Sequence, residues 1–143
     1  MPPDPVGVAI NKADQVFVTD TYGQQIIILA SGLKPAVLIK AGVNGYGCDW
    51  LGHPNGIAID SDGFIYVVDE SKNRIHKLKP GPYLAVYVKF WGEYGEGDGQ
   101  FMYAAYLCID EEGFLYVMDK YTPRVQMFSL DGKFLGKFEV DIP

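Results

Sequence analysis

Asp60-Ser61-Asp62-Gly63-Phe64-Ile65-Tyr66-Val67-Val68-Asp69 is the stretch that decides the fold, because the chain says it again. Asp110-Glu111-Glu112-Gly113-Phe114-Leu115-Tyr116-Val117-Met118-Asp119 is a close copy. Asn11-Lys12-Ala13-Asp14-Gln15-Val16-Phe17-Val18-Thr19-Asp20 is a worn one. The closing aspartates stand at 20, 69 and 119, so the spacings are 49 and 50 residues. A period near that length marks a repeat architecture, and a repeated residue serves the scaffold before it serves chemistry.

Each copy reads as four short strands. In the middle copy Gly56 to Asp60 is an apolar run, and Ser61-Asp62-Gly63 turns the chain, with Gly63 free to take positive φ. Phe64 to Val68 is apolar at every position, which predicts burial on both faces. Arg74 to Leu78 and Tyr83 to Trp91 supply the third and fourth strands. The third copy places strands at Leu107 to Asp110, Phe114 to Met118, Arg124 to Phe128 and Lys133 to Phe138. The first places them at Val8 to Ile10, Val16 to Thr19, Gln25 to Leu29 and Ala36 to Lys40. Its Asp14 stands where Gly63 and Gly113 stand, and Asp tolerates left-handed backbone better than most residues. No segment keeps a helical apolar period. The expected fold is all-β, built from three four-stranded antiparallel propeller blades. The repeats run approximately over 5–52, 53–101 and 102–143 of one segment, 1–143.

Composition agrees. Ten Tyr and eight Phe favour strands, and 17 Gly with nine Pro supply frequent turns. The net charge of −6, with 18 acids against 12 Lys and Arg and no basic run, argues against nucleic acid as partner. The two cysteines, Cys48 and Cys108, make no disulfide framework. Cys108 aligns with Ala58 and reads as a free thiol packed like a small hydrophobe. No apolar run approaches a membrane span, and Met1-Pro2-Pro3-Asp4-Pro5 carries neither the basic region nor the apolar run of a signal peptide, so a soluble chain is expected.

Pro54-Asn55-Gly56-Ile57-Ala58-Ile59-Asp60, then Gly63 to Asp69, then Asn73-Arg74-Ile75, resembles the NHL repeat, as does the linker from Gly92 to Phe101. The resemblance covers essentially the whole chain as three repeats. The third departs at Ala104-Ala105-Tyr106, where Pro-x-Gly is the pattern, and at Pro123 in place of Asn; the first lacks the turn glycine and has Gln25 for Arg. The resemblance implies a six-bladed ring, of which three blades are half. Two open faces rich in Val, Ile, Phe and Tyr would then seek cover. A homodimer could close the ring, the missing blades could lie elsewhere in a longer chain, or a different protein could pack on the faces.

Several residues invite a chemical reading. Asp69 with Arg74, and Asp119 with Arg124, stand at opposite ends of tight hairpins; periodicity favours structural clasps across each hairpin, and a weaker one where Asp20 faces Gln25. Asp60-Ser61-Asp62-Gly63 looks like the start of a calcium loop but lacks the later ligands and coincides with a strand turn. The glycine runs at 42–47 and 92–99 align with each other at a spacing of fifty and are followed by strands, so they read as linkers rather than phosphate cradles. His53 sits in a linker near the expected channel, and His76 mid-strand toward the rim; the two should not share a metal. No catalytic residue, metal site or cofactor is expected.

The copies agree in their strands and differ in their loops. Variation inside a repeat array falls where the scaffold does not dictate the residue, so the linkers and second-to-third-strand turns are the candidate partner face. That face holds Tyr22, Tyr46, Trp50, His53, Asn55, Lys72, Tyr103, Tyr106 and Tyr121. Aromatic side chains there suit protein or peptide contact. The first functional expectation is a non-catalytic interaction or scaffold module. The alternative is a propeller enzyme, a lyase or hydrolase, whose channel-mouth metal site is only partly present in this chain.

Overall fold

The computed structural model describes residues 4–29, 35–40, 51–80 and 85–140. It contains three four-stranded antiparallel sheets and, among the described residues, no helix. The first sheet is β1 (Pro5–Ile10), β2 (Val16–Asp20), β3 (Gln25–Leu29) and β4 (Pro35–Lys40). The middle sheet is β5 (Pro54–Ile59), β6 (Ile65–Asp69), β7 (Arg74–Pro80) and β8 (Ala85–Trp91). The linker that follows adds a short parallel pair, β9 (Glu93–Tyr94) and β10 (Gln100–Phe101). The third sheet is β11 (Ala104–Ile109), β12 (Leu115–Asp119), β13 (Arg124–Phe128) and β14 (Phe134–Glu139). Strand order follows sequence order in all three sheets.

The strands coincide with the expected runs to within a few residues at the ends. The parallel pair was not expected. Gly95 and Gly99 take positive φ, +152° and +77°, which folds the linker back until Glu93 and Tyr94 lie beside Gln100 and Phe101. The hairpin turns follow the sequence closely. Gly63 (φ +89°), Gly113 (φ +87°) and Asp14 (φ +61°) occupy the same left-handed position. Each turn is held by the acid or amide before it: Asp60 Oδ1 accepts the Asp62 and Phe64 N–H groups, and Asp110 Oδ1 those of Glu112 and Phe114. Asn11 Oδ1 does the same for Ala13 and Gln15. The acidic stretch at Asp60 is therefore a turn, as its periodicity implies.

The core lies between sheets. One cluster joins Phe17, Ile26 and Ile28 of the first sheet to Ile57, Ile65, Val67 and Leu78 of the second. A second joins Tyr66, Val68 and Ile75 to Leu115, Val117 and Phe128 of the third. Leu51 and Phe101, fifty residues apart in the two linkers, each plug one cluster. Among the described residues only the middle sheet is covered on both sides, so β6 is buried throughout, whereas β12 leaves Met118 exposed. Inner strands approach tightly enough that side chains would collide. A Cβ on Gly7 would lie 2.5 Å from the Asn55 carbonyl oxygen, and one on Gly56 2.9 Å from that of Ala105.

Cys108 departs from expectation: it is a free thiol, but an exposed one. Ala58 at the matching place packs toward a following sheet; Cys108 faces the side of the third sheet that no other described sheet covers. Cys48 lies outside the described residues.

The turns give a clean test of backbone strain. A Cβ on Gly63 meets nothing within 4 Å, so a substitution there tests conformation alone. Gly63→Ala is expected to lower stability by roughly 1–2 kcal/mol, the cost of holding an L-residue in left-handed backbone. Asp14→Gly should raise it by a smaller amount. Urea unfolding of the two variants measures both shifts.

Candidate functional site

The closing aspartate of each second strand has the same task in all three sheets. Asp69 Oδ2 accepts the Gly52 N–H at 2.7 Å, and its Oδ1 accepts the His53 N–H at 3.1 Å. Asp119 takes the Met102 and Tyr103 N–H groups at 2.7 and 3.0 Å. Asp20 takes the Asp4 N–H at 2.9 Å. Each carboxylate thus pins the linker arriving at the first strand to the turn leaving the second.

This corrects the expected clasps. Asp69 and Arg74 are register partners across their hairpin, as are Asp119 and Arg124, but their side chains serve other groups. Among the described residues no ion pair joins either couple. The Arg124 guanidinium donates to the linker carbonyls of Glu96 and Gln100, at 2.5 and 2.7 Å. The Arg74 guanidinium lies 4.1 Å from the Phe90 ring centroid. Where the clasp was expected to be weakest it exists: Gln25 Nε2 donates to Asp20 Oδ2 at 2.7 Å. Backbone N–H groups are present at every residue but proline and leave no mark in a sequence, so the carboxylates' main partners could not be read from it.

His76 is the second feature the sequence hid. It is fully buried, and its Nε2 lies 2.9 Å from Asp69 Oδ2. Burial pulls the imidazole pKa below its ordinary value, against the pull of Asp69. The ring is therefore neutral at pH 7 and donates its Nε2–H to the carboxylate. Burial alone would raise the Asp69 pKa; the hydrogen bonds from His76, Gly52 and His53 outweigh it and hold the carboxyl well below its usual range. Gln126 takes the place of His76 in the third sheet and reaches the linker instead, bonding the Gln100 carbonyl and the Gly99 N–H.

At the pinned end, all three sheets open onto one cavity of about 400 Å³. The first contributes Asp4, Val6, Thr21 and Tyr22, the second His53, Asn55 and Glu70, and the third Tyr103, Tyr106 and Lys120. Five of the expected face residues meet here: Tyr22, His53, Asn55, Tyr103 and Tyr106. Tyr121 stacks edge-on against Tyr103 with centroids 5.1 Å apart, and it borders a larger hollow of about 730 Å³ lined by the third repeat together with Glu96 of the preceding linker. Lys72 lies in the β6–β7 turn and does not line the cavity. Tyr46 and Trp50 fall outside the described residues. Glu70, at the start of the second-to-third-strand turn of the middle repeat, is central: it accepts the Asn55 Nδ2–H at 2.9 Å and, by hydrogen bonding, pushes the Tyr103 phenol up to about 12. Asn55 is almost fully buried, and its Oδ1 has no donor. The Lys120 ammonium lies 5.0 Å from the Tyr103 ring centroid and 5.9 Å from that of Tyr106.

Residues 51–78, the core of the middle sheet, match the family description "NHL repeat". The match takes in β5, β6 and most of β7. Solved structures extend the likeness in fold to nearly the whole chain, and these neighbours are β-propellers. Hydrazine synthase from Kuenenia stuttgartiensis aligns with a TM-score of 0.72 at 12% identity, over 96% of this chain and 36% of that one. Virginiamycin B lyase from Staphylococcus aureus aligns at 0.68 and 13% identity, over 97% and 42%. Glutaminyl cyclase from Myxococcus xanthus aligns at 0.69 and 15% identity, over 97% and 52%. At such identities the likeness concerns fold. The chain spans about half the length of these neighbours or less. No curated protein matches the sequence.

The His76–Asp69 pair makes stability depend on pH with a defined sign. Unfolded, His76 takes up a proton below its ordinary pKa of 6.5, whereas the buried ring resists it. The stabilising contribution is thus full above that pH and fades as pH falls toward the folded-state value. Thermal melting should show a loss of stability from pH 6.5 downward. His76→Gln, copying Gln126, should flatten that part of the profile.

Proposed function

We propose that this chain is an NHL-type propeller segment that binds a protein or peptide partner at the cavity where its three repeats converge, as a non-catalytic interaction module. One observation carries the reading: the residues that differ between repeats, while the strands agree, are the ones that line a shared cavity. Tyr22, Tyr103 and Tyr106 offer flat apolar surface with few rotatable bonds. Glu70 and the Asn55 carbonyl oxygen offer acceptors, and Lys120 a donor. Such a mixture suits an extended peptide, whose backbone presents donors and acceptors in alternation. Further blades beyond these three complete the rim of the cavity.

His53 on the same rim supports a second reading, that of a propeller enzyme with a metal at the channel mouth. Among the described residues no three His, Cys, Asp or Glu side chains converge to share an ion with it. The co-ligands would have to come from other blades.

A displayed library of short peptides, selected on the purified protein, tests the proposal. Selected peptides should bind in fluorescence anisotropy, and Tyr103→Ala together with Tyr22→Ala should weaken them by roughly tenfold or more, as loss of aromatic anchors does. Lys79→Ala, on an exposed residue of β7 away from the cavity, should leave binding unchanged. Failure to select any peptide overturns the interaction reading. A stoichiometric, tightly bound metal that His53→Ala removes would favour the enzyme.

A further inference from the structure

Among the described residues the two outer sheets leave opposite faces bare, and the interior of the same chain shows what fits each of them. The face of the first sheet that covers nothing carries Val8, Val18 and Ile27 in one cross-strand row. Their counterparts in the middle sheet are Ile57, Val67 and His76, which lie against the first sheet or inside the middle one. Val8 is 66% exposed where Ile57 is 6%. The bare face of the third sheet carries Tyr106, Met118, Val125 and Phe138, again in one row. Its counterparts Gly56, Val68 and Ile75 are sealed by the third sheet itself. Met118 is 39% exposed where Val68 is fully buried.

Both internal junctions are therefore made by one kind of face meeting the other kind. Among the described residues one copy of each kind of face is unmated. Neither bare row contains a charged residue, so nothing repels cover by apolar side chains. The geometry points to head-to-tail association of two copies of this chain, the bare face of the third sheet in each seating on the bare face of the first sheet in the other. A two-fold axis makes both junctions at once and yields six blades. This rests on reading the chain as a propeller segment and names its partner.

One residue sets the fit. Gly7 and Gly56 let the next inner strand come within touching distance of their backbone, and the third repeat has Tyr106 at that place. A seated first sheet must stand off from the Tyr106 side chain at the inner end of the new junction. The association is accordingly weaker than an internal junction, and the wild-type tyrosine is what limits it.

Sedimentation velocity across a concentration series tests this. The wild-type chain should reach twice its 15.9 kDa mass as concentration rises. Met118→Glu, on the third-sheet face, and Val18→Glu, on the first-sheet face, should each stay monomeric with an unchanged circular dichroism spectrum. An equimolar mixture of the two should dimerise again, because one junction in the mixed pair is wild type on both sides. Tyr106→Gly should tighten the dimer by about tenfold, by removing the overpacked side chain. A folded wild-type chain that stays monomeric at every concentration overturns the proposal. So does a mixture that stays monomeric, or a Tyr106→Gly variant that associates no better. Peptide binding by a monomer would leave the interaction reading standing while this one fell; a dimer that binds no peptide would do the reverse.

Discussion

A carboxylate at the end of each second strand ties the chain entering a sheet to the chain turning within it. Everything else in the molecule is placed by that tie. Buried N–H groups without partners are costly, and linkers arriving at the crowded inner edge of a propeller would carry several. Asp20, Asp69 and Asp119 answer them, and in doing so fix where the first strand begins relative to the second. Register follows, and with it the rows of apolar side chains that one sheet presents to the next. The cavity follows too, because the pinned residues Asp4, His53 and Tyr103 are themselves part of its wall.

The middle repeat adds a further layer to its tie. His76, buried and neutral, donates to the same Asp69 oxygen that accepts the Gly52 N–H. The neighbouring repeats manage without it: Ile27 stands at that place in the first, and Gln126 turns to the linker in the third. The scaffold thus specifies the aspartate and leaves its buried partner free to vary. The outer end of the junction between the middle and third sheets is fastened separately. Lys77 runs across the Phe64 ring to donate to the Leu130 carbonyl, and the turn at Gly132 presses on Trp91 with no room for a side chain.

How far the sequence could be read depends on the kind of partner each residue chose. Hairpin turns were legible because Gly63 and Gly113 advertise left-handed backbone, and even Asp14 could be assigned by analogy. Strand positions were legible because apolar runs alternate with turn residues at a fixed period. The Asp–Arg clasps were misread because sequence shows side chains and hides the peptide groups to which these side chains actually bond. Cys108 was misread for a different reason: its neighbours in the alignment are covered by a following sheet, and no such sheet is among the described residues. Variation between copies singled out the linkers and turns, and Tyr22, His53, Asn55, Tyr103 and Tyr106 from them line one cavity. That these residues meet, with Glu70 and Lys120 from the same turns, was not legible, because it follows from the relative placement of three sheets.

The complete burial of β6 has a consequence for how the molecule opens. In a stacked array each sheet draws its stability from its neighbours, so the free energy needed to expose a segment is graded along the stack. The middle sheet has two neighbours within this chain, and each outer sheet has one. Thermal fluctuations should therefore peel the array from its ends, and the strand carrying Asp69 should be the last to exchange its amide hydrogens with water. The pinned wall of the cavity contributed by His53 and Asn55 belongs to that slowest-opening layer, while the tyrosines across from it stand on the layers that breathe.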